Sequence, residues 1–270
     1  MVRTGANRRA SPVGAFFVFC IGIAMGAWPQ SSPATALCAP DHIDQQVRVS
    51  HVIDGDTVLL SDGRHLRFIG VNTPELLHNG APPQAYGIEA RNQLRQLLSQ
   101  HQSILNLRFD VERQDRYNRV LAHAFLTDGR SISAWLESQG LGTVLVVPPN
   151  VWNSHCYAAT EQQARHAQRG IWALPAYRVV ESTQLPASAR DYHLIAGRVR
   201  HVGNSRYAVW LDLEGGVALR IERDDLHYFS DWHLQDLLGK RVLARGWLHR
   251  EKNELRMNIR HPSALQVIKS

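Results

Sequence analysis

Short stretches of alternating apolar and polar residues, separated by turns rich in Gly and Asp, fill most of the chain after about residue 45. Alternation with a period of two is typical of half-buried strands, and Asp62-Gly63 is a hairpin turn signal. The apolar residues of 86–100 recur instead at helical spacing. In the first half of the chain we therefore predict strands at 47–53, 57–61, 65–71, 104–109 and 120–126 and helices at 86–100, 132–139 and 160–169.

Five strands with a helix between the third and fourth is the order of a small OB-type barrel. The second half repeats this order, with predicted strands at 194–202, 208–213, 217–221, 240–248 and 255–259 and a helix at 225–238. The fold class is mainly β with helices (α+β): an OB-type barrel domain at 45–173, a linker at 174–190 that is rich in small residues and proline, and a second OB-like barrel at 191–270.

Residues 1–36 have the pattern of a signal peptide. A basic start with three arginines precedes an apolar run at 15–28, and Ala34-Thr35-Ala36 offers a cleavage site. The run is shorter than the roughly 20 residues that a membrane span needs. We expect a periplasmic or extracellular protein with no stable membrane association after cleavage; an uncleaved N-terminal anchor is the alternative.

Composition and cysteine content narrow the class of protein. Hydrophobic residues make up 44% and charged residues 20%, which indicates a globular chain. The net charge of +6 falls to +3 when the three arginines of 1–36 are removed, so the overall field does not by itself identify a nucleic-acid partner. Of three cysteines, Cys38 and Cys156 lie outside the signal segment. In an oxidising compartment they could form a disulfide, or each could be a buried thiol.

Four short motifs carry the candidate chemistry, and all lie in the first predicted barrel. They are Asp54-Gly55-Asp56-Thr57, Arg67-Phe68-Ile69-Gly70-Val71-Asn72-Thr73-Pro74-Glu75, Tyr86-Gly87-Ile88-Glu89-Ala90 and Asp115-Arg116-Tyr117-Asn118-Arg119. Hydrolysis of a phosphodiester needs charge neutralisation at the phosphate, an activated water and a substrate held in line. The motifs contain residue types that suit each of these three tasks.

Asp56 and Asn72 are oxygen donors of the kind that Ca²⁺ prefers. Arg67 and Arg119 present guanidinium forks that match phosphate oxygens, and Glu75 is a carboxylate suited to act as a general base. Each residue alone also has an ordinary structural interpretation, as a turn, a solvated strand position, a helix N-terminal carboxylate or a surface ion pair. Their occurrence together on one barrel favours the chemical interpretation.

Through these motifs, residues 45–173 resemble the thermonuclease (staphylococcal-nuclease-like) family. The resemblance implies that Arg67, Glu75 and Arg119 are catalytic, that Asp56, Asn72 and the carbonyl of Thr73 approach Ca²⁺, and that Arg116 and Tyr117 lie near a phosphate-binding groove. It also implies Ca²⁺-dependent cleavage of DNA and RNA at the 5′ phosphoester, leaving 3′-phosphate ends, with little sequence specificity.

This chain departs from the family's type member at two places. Asn72 replaces an aspartate, which removes a negative charge and predicts a weaker Ca²⁺ site. Leu145 and Val147 occupy the positions of two tyrosines that would stack on a nucleotide. We expect looser nucleotide binding, or stacking supplied elsewhere, with Trp152 and Tyr157 as candidates that could equally be core residues.

The second predicted barrel carries many basic residues with aromatic residues between them. The basic residues are Arg198, Arg200, Arg206, Arg220, Arg223, Lys240, Arg241, Arg245, Arg250, Arg256 and Arg260. A basic barrel face with Tyr207, Trp210 and Trp247 would suit single-stranded nucleic acid, although alternating charges usually mark a solvated face and the tryptophans could fill the core. The leading hypothesis is thus a secreted endonuclease that prefers single-stranded DNA or RNA, and the alternative is a catalytically weak nucleic-acid-binding module.

Overall fold

The first barrel is formed by five strands of the N-terminal half. We describe a computed structural model of the chain for residues 37–76, 82–251 and 254–269; the predicted signal peptide lies outside them. The strands are β1 (Gln45–Val52), β2 (Thr57–Leu60), β3 (His65–Phe68), β5 (Ile104–Arg108) and β6 (Val120–Phe125), closed in the order β1-β2-β3-β6-β5. Strands β3 and β6 run parallel, and the other described pairs of the barrel run antiparallel. The predicted barrel is confirmed.

The alternating pattern fills the interior of this barrel. Leu105 and Leu107 of β5 and Leu66 and Phe68 of β3 are buried at every second position. Because successive side chains of a strand point to opposite faces, the residues between them turn outward. Arg67 is one of these, so the same alternation that builds the core turns its guanidinium out of the barrel.

The prediction of one strand over 65–71 is wrong, because the chain bends at Gly70. Gly70 has φ +96°, and a Cβ there would lie 2.6 Å from the ring of Tyr157, so only glycine fits. The following strand β4 (Gly70–Asn72) leaves the barrel and pairs antiparallel with β7 (Thr143–Leu145), with Asn72 opposite Thr143. This bend carries Asn72 and Thr73 towards the turn at Asp56.

Three α-helices appear among the described residues: α1 (Gly87–Gln100), α2 (Ile132–Ser138) and α3 (Ser154–His166). Ser131 caps α2, accepting a hydrogen bond from the Ala134 amide. Helix α3 begins six residues before its predicted start at residue 160. Its buried face includes Ser154, Thr160 and Glu161, so apolar periodicity does not reveal it. Within the described ranges, no helix is long and apolar enough to cross a membrane.

Cys38 and Cys156 form a disulfide, with their Cα atoms 5.8 Å apart. It joins the start of the described chain to α3, over a small apolar cluster that contains Ala134, Val144 and Tyr157. Of the two alternatives left open by the sequence, the structure has the disulfide.

The second barrel is closed by β9 (Asp191–Asn204), β10 (Ala208–Leu213), β11 (Val217–Glu222), β13 (Glu254–Asn258) and β12 (Arg241–Glu251), which pairs back with β9. Two further strands extend its sheet: β8 (Val179–Glu181) beside β9, and β14 (Leu265–Ile268) beside β12. Both barrels belong to one compact unit, Thr35–Ser270. The predicted second barrel is confirmed, while the domain boundaries themselves stay predictions.

Two segments around the second barrel differ from the predictions. The predicted helix at 225–238 is a pair of 3₁₀ helices, Arg223–Phe229 and Leu234–Leu237. Leu226, Phe229 and Trp232 face the core at a spacing of three, which matches the three residues per turn of a 3₁₀ helix. The predicted linker at 174–190 is not a plain spacer either, because it contributes β8 and two short 3₁₀ helices, Pro175–Tyr177 and Ser182–Gln184.

The outer face of the second barrel is less basic than its arginine content suggests. Salt bridges join Arg220 to Glu222, Arg256 to Glu251 and Glu254, Arg260 to Asp225, Arg241 to Glu181 and Arg200 to Glu214. The tryptophans do not fill the core: Trp247 is 44% exposed, and Trp210 lies under the Arg256 guanidinium, 4.9 Å from it. Aromatic rings on this face thus lie among arginines of which several are paired with carboxylates.

Candidate active site

A cleft of about 370 Å³ lies on the first barrel, where the loops after β1 and β4 meet the hairpin before β6. Its lining includes five of the predicted site residues: Asp56, Arg67, Asn72, Glu75 and Arg119. These residues lie up to 63 positions apart in sequence, and the barrel topology brings them to one place.

The turn Asp54-Gly55-Asp56 positions the first carboxylate. Asp54 Oδ1 accepts the Asp56 amide at 3.0 Å, and a Cβ on Gly55 would lie 2.7 Å from the Thr73 side chain, so the turn needs glycine. Asp56 Oδ2 accepts hydrogen bonds from the backbone N–H of Thr73 at 2.8 Å and from its hydroxyl at 3.1 Å. The Asp56 carboxylate is therefore tied directly to the loop that carries the metal-site candidates.

Arg67 is held by acceptors on several sides. Its Nη1 donates to the carbonyls of Phe68 at 2.6 Å and Val71 at 2.8 Å. Its Nη2 donates to Asn72 Oδ1 at 3.2 Å and lies 3.1 Å from Asp56 Oδ2. Because the hydrogen bonds already fix this guanidinium, it loses little further conformational entropy when it binds a phosphate.

Glu75 lies directly after Pro74, at the entrance to α1. Its backbone N–H donates to Gln84 Oε1 at 2.9 Å, and its carbonyl accepts the Gln84 amide at 2.9 Å. A Cβ on Gly87 would lie 3.0 Å from the Glu75 carbonyl oxygen, so the start of α1 packs against this segment. The half-buried Glu75 side chain reaches the cleft from this anchored backbone.

A hairpin turn before β6 positions Arg119. Asp115 Oδ2 accepts Arg119 Nε at 2.7 Å, while its Oδ1 accepts the amides of Tyr117 and Arg119. Burial would raise the pKa of Asp115, but the hydrogen bonds from Arg119 and the turn outweigh burial and hold that pKa below its usual value. Asp115 thus remains an anion that aims the guanidinium.

The two remaining substrate-binding candidates lie on the same turn, outside the cleft lining. Arg116 Nη2 donates to the Tyr117 hydroxyl at 2.7 Å, and its guanidinium stacks 4.8 Å from the Tyr117 ring centre. Tyr117 is 64% exposed. This pair forms an exposed aromatic and cationic edge next to Arg119.

The cleft is electrostatically suited to a cation. Burial, followed by the negative charge of Asp56, raises the pKa of Asp54 to about 7. The residues that line the cleft include Asp54, Asp56, Asn72, Glu75 and Glu112 but no histidine or cysteine. Oxygen donors without nitrogen or sulfur suit Ca²⁺ or Mg²⁺.

The protein's own ligands do not complete a metal cage. Among the residues that the structure describes, no three His, Cys, Asp or Glu side chains converge as a metal site. Asn72 supplies an amide oxygen, and its Nδ2 lies 3.4 Å from the Thr73 carbonyl, the third predicted ligand. The donor chemistry thus fits a hard cation that keeps water or substrate oxygens among its ligands.

Comparison with known proteins identifies the family. The model of the family "Staphylococcal nuclease homologue" matches residues 65–174. The thermonuclease of Staphylococcus hyicus is 31% identical over 148 residues, which cover 53% of this chain and 85% of that protein. The thermonuclease of Staphylococcus intermedius is 34% identical over 127 residues, 46% of this chain and 74% of that protein. The chain belongs to the staphylococcal nuclease family. Endonuclease YncB of Bacillus subtilis (strain 168) is also similar, at 32% identity over 136 residues, 48% of this chain and 63% of that protein.

As a member of the staphylococcal nuclease family, the chain is a nuclease, a hydrolase whose substrate is nucleic acid. The family match ends at residue 174, so the second barrel lies beyond it. The functional site of this nuclease therefore has to be sought first in the cleft of the first barrel, where the five predicted residues meet.

Several residues of the nuclease cleft had no predicted role. Asp115 orients Arg119 from four positions away, a spacing that could have indicated the pair. The Asn150 side chain holds the loop at Glu112: its Oδ1 accepts the Glu112 backbone N–H and its Nδ2 donates to the Glu112 carbonyl, both at 2.8 Å. These bonds join positions 38 apart, so no local sequence pattern predicts them. Tyr157 is fully buried and Trp152 lies under Arg108, so neither is placed to stack on a nucleotide in the cleft.

Proposed function

We propose that this nuclease is a secreted, Ca²⁺-dependent endonuclease that hydrolyses phosphodiester bonds of DNA and RNA with little sequence specificity. One observation supports this mechanism above the others: two guanidinium groups, Arg67 and Arg119, share one cleft with the Glu75 carboxylate beside Asp56. The chemistry requires this combination, because an anionic phosphate must be bound while a water is activated next to it.

In the proposed mechanism Glu75 accepts a proton from the water that attacks phosphorus. Arg67 and Arg119 bind phosphate oxygens and stabilise the charge that builds up in the transition state. Bound by Asp56, Asn72 and the Thr73 carbonyl, Ca²⁺ would neutralise part of the phosphate charge. Arg116 and Tyr117, next to Arg119, bind the flanking part of the nucleic acid. The bond from phosphorus to the 5′ oxygen breaks, which leaves a 3′-phosphate and a 5′-hydroxyl whose oxygen takes its proton from solvent.

Export of the protein is the second part of the proposal. The pattern of residues 1–36 suits a signal peptide, and the Cys38–Cys156 disulfide is of a kind that persists in oxidising compartments. We expect the mature protein in the periplasm or medium, with its N-terminus close to residue 37. Mass spectrometry of the fractionated protein checks this, and an intact Met1 on exported material would contradict cleavage.

Digestion of plasmid, single-stranded DNA and RNA, with Ca²⁺ or with chelator, tests the mechanism. Glu75→Gln and Arg119→Ala should each lower turnover by about 10²–10⁴-fold while thermal melting stays unchanged. The matched controls are Glu89→Gln, a carboxylate exposed on α1, and Arg113→Ala, an arginine stacked on Phe109. Full activity of the Glu75 and Arg119 variants would rule the mechanism out, and so would digestion at the same rate with chelator as with Ca²⁺.

A further inference from the structure

A second groove, of about 440 Å³, begins where the catalytic cleft ends. Both are lined by Asn72, Leu145 and Val147. Leu145 is placed there by β7, which pairs with β4 so that Leu145 lies opposite Gly70. The groove thus continues from the metal-site candidate Asn72 over an apolar floor and away from the reacting groups.

The far wall of this groove belongs to the second barrel. Trp247 and His249 of β12 line it together with Asn258 and His261. Leu248 is buried in the barrel core while Trp247 and His249 are exposed, as the alternation of a strand requires. The second barrel therefore presents an aromatic ring and polar side chains to a groove that starts at the active site.

The Trp247 ring is held in place from within the second barrel. Trp247 and Tyr192 are direct partners in the β12–β9 pairing, and their ring centres lie 5.2 Å apart at 72°. Such an edge-to-face contact fixes the orientation of an aromatic ring. With 44% of the residue exposed, the indole is an anchored platform rather than a mobile surface side chain.

The charges around the groove favour a neutral group over a phosphate. Arg245 is paired with Glu161, and Arg260 donates to both oxygens of Asp225 at 3.0 and 3.2 Å. Arg67 and Arg119, by contrast, lie in the catalytic cleft. A nucleic-acid chain that places its phosphate at these two arginines would bring a base, not a second phosphate, to the apolar floor and the indole.

We propose that this groove is a nucleobase subsite in which Trp247 stacks on an unpaired base near the scissile phosphate. This assignment rests on the proposed nuclease mechanism and deepens it, because it names the substrate class: single-stranded nucleic acid. A base in a duplex is already stacked and paired, so it reaches the indole only after unstacking. The imidazole of His249 and the amide of Asn258 are positioned to meet base edges.

Steady-state kinetics on an oligothymidylate and on a relaxed, covalently closed circular duplex test this proposal. Trp247→Ala should raise KM for the single strand about tenfold, as loss of one stacking contact does, with kcat and the duplex KM nearly unchanged. Trp247→Tyr should restore most of the binding, since it keeps an aromatic face. Leu238→Ala removes another exposed apolar side chain of the same barrel, outside the groove, and should leave both KM values unchanged.

The result that overturns the subsite is an unchanged single-strand KM in a folded Trp247→Ala protein. An equal rise of KM on single strand and duplex would also overturn it, because the contact would then be to the backbone. Glu75→Gln, assayed alongside, separates the two ideas. If Glu75→Gln is inactive while Trp247→Ala behaves like the parent, the nuclease mechanism stands and the subsite falls.

Discussion

Two arginines of this nuclease, Arg67 in the cleft of the first barrel and Arg245 between α3 and the second barrel, are each paired with a buried carboxylate. Their side chains are similarly enclosed, at 13% and 11% exposure. Arg67 is paired with Asp56 next to Glu75 and Arg119. Arg245 is paired with Glu161, whose other oxygen accepts the Val144 amide at 2.8 Å.

The difference between the two places lies in what surrounds the ion pair. The junction borders a larger cavity, of about 560 Å³ against about 370 Å³ for the cleft, so cavity size does not identify the site. At the junction, Arg245 Nε also donates to the Ser263 carbonyl, and the pair fastens α3 to the second barrel. A buried ion pair is thus equally compatible with holding structure and with chemistry, and the Arg67 pair differs in sharing its cleft with both Glu75 and Arg119.

The junction includes a third ionisable residue, the fully buried Glu137. Neither of its carboxylate oxygens has a hydrogen-bond partner within the described part of the chain. Burial, reinforced by the negative charge of Glu161, raises the pKa of Glu137 well above its usual value. Glu137 is therefore the carboxyl group of the junction whose protonated form is favoured, while Glu161 is paired with Arg245.

The largest effect that separates the two arginines should come from Arg245→Ala. It leaves Glu161 buried without its cation, which should lower the free energy of unfolding by about 3–5 kcal/mol. Arg241 lies on the same strand as Arg245, and Arg241→Ala removes a more exposed pair with Glu181. This variant should lower the free energy of unfolding by less than about 1 kcal/mol. Urea denaturation of both variants measures the free energy of unfolding. If both variants lose the same amount, the junction pair stabilises the fold no more than the exposed pair does.

A smaller, pH-dependent effect is expected from Glu137→Gln. The pKa of Glu137 is higher in the folded state than in the unfolded state, where it is near 4.5, so folding takes up a proton between these two values. The stability of the parent protein therefore falls as pH rises above about 4.5, and stops falling once pH has passed the raised pKa. Glutamine cannot ionise, so the variant should be more stable than the parent at pH 7, by on the order of 1 kcal/mol, and should approach it near pH 4.

Denaturation midpoints at several pH values measure this slope. Glu112→Gln, which removes an exposed carboxylate, is the control and should keep the parent's pH dependence. If the Glu137→Gln and parent curves run parallel from pH 4 to pH 8, Glu137 is not protonated in the folded state.

The first barrel and its catalytic candidates could be predicted because their signals are local. Alternation in β5 and the Asp62-Gly63 turn identify strands directly. Arg67, Glu75 and Arg119 each lie in a short motif, and the barrel order alone brings Arg67 of β3 next to Arg119, which directly precedes β6.

The features that could not be predicted depend on contacts distant in sequence. The bend at Gly70 exists because Tyr157 lies beneath it, 87 positions along the chain. The pairing of Glu161 with Arg245 spans 84 positions. In the sequence Arg245 is one of many arginines on strands. It shares the outward face of β12 with Trp247 and is enclosed only because Glu161 of α3 pairs with it there. Trp247 is the opposite case. A tryptophan could have filled a core, but Trp247 is exposed because its neighbours Gly246 and Leu248 occupy the buried positions of the strand.

The smallest expected effect concerns the cation site of the cleft and comes from Asn72→Asp. A second negative charge beside Asp56 should strengthen binding of a hard cation. The gain is limited because Arg67, which donates to Asn72 Oδ1 at 3.2 Å, would neutralise part of the new charge. We therefore expect the Ca²⁺ concentration for half-maximal activity to fall less than about tenfold, or 1.4 kcal/mol.

Ca²⁺ titrations of nuclease activity measure this shift, with Asn92→Asp as the control because it adds the same charge on the exposed face of α1. A lower half-maximal concentration for Asn72→Asp alone locates the cation next to residue 72 and distinguishes a local ligand effect from a change in net charge. If both variants shift equally, or neither shifts, residue 72 does not contact the metal. The role of the Asn72 side chain would then be to accept the hydrogen bond from Arg67.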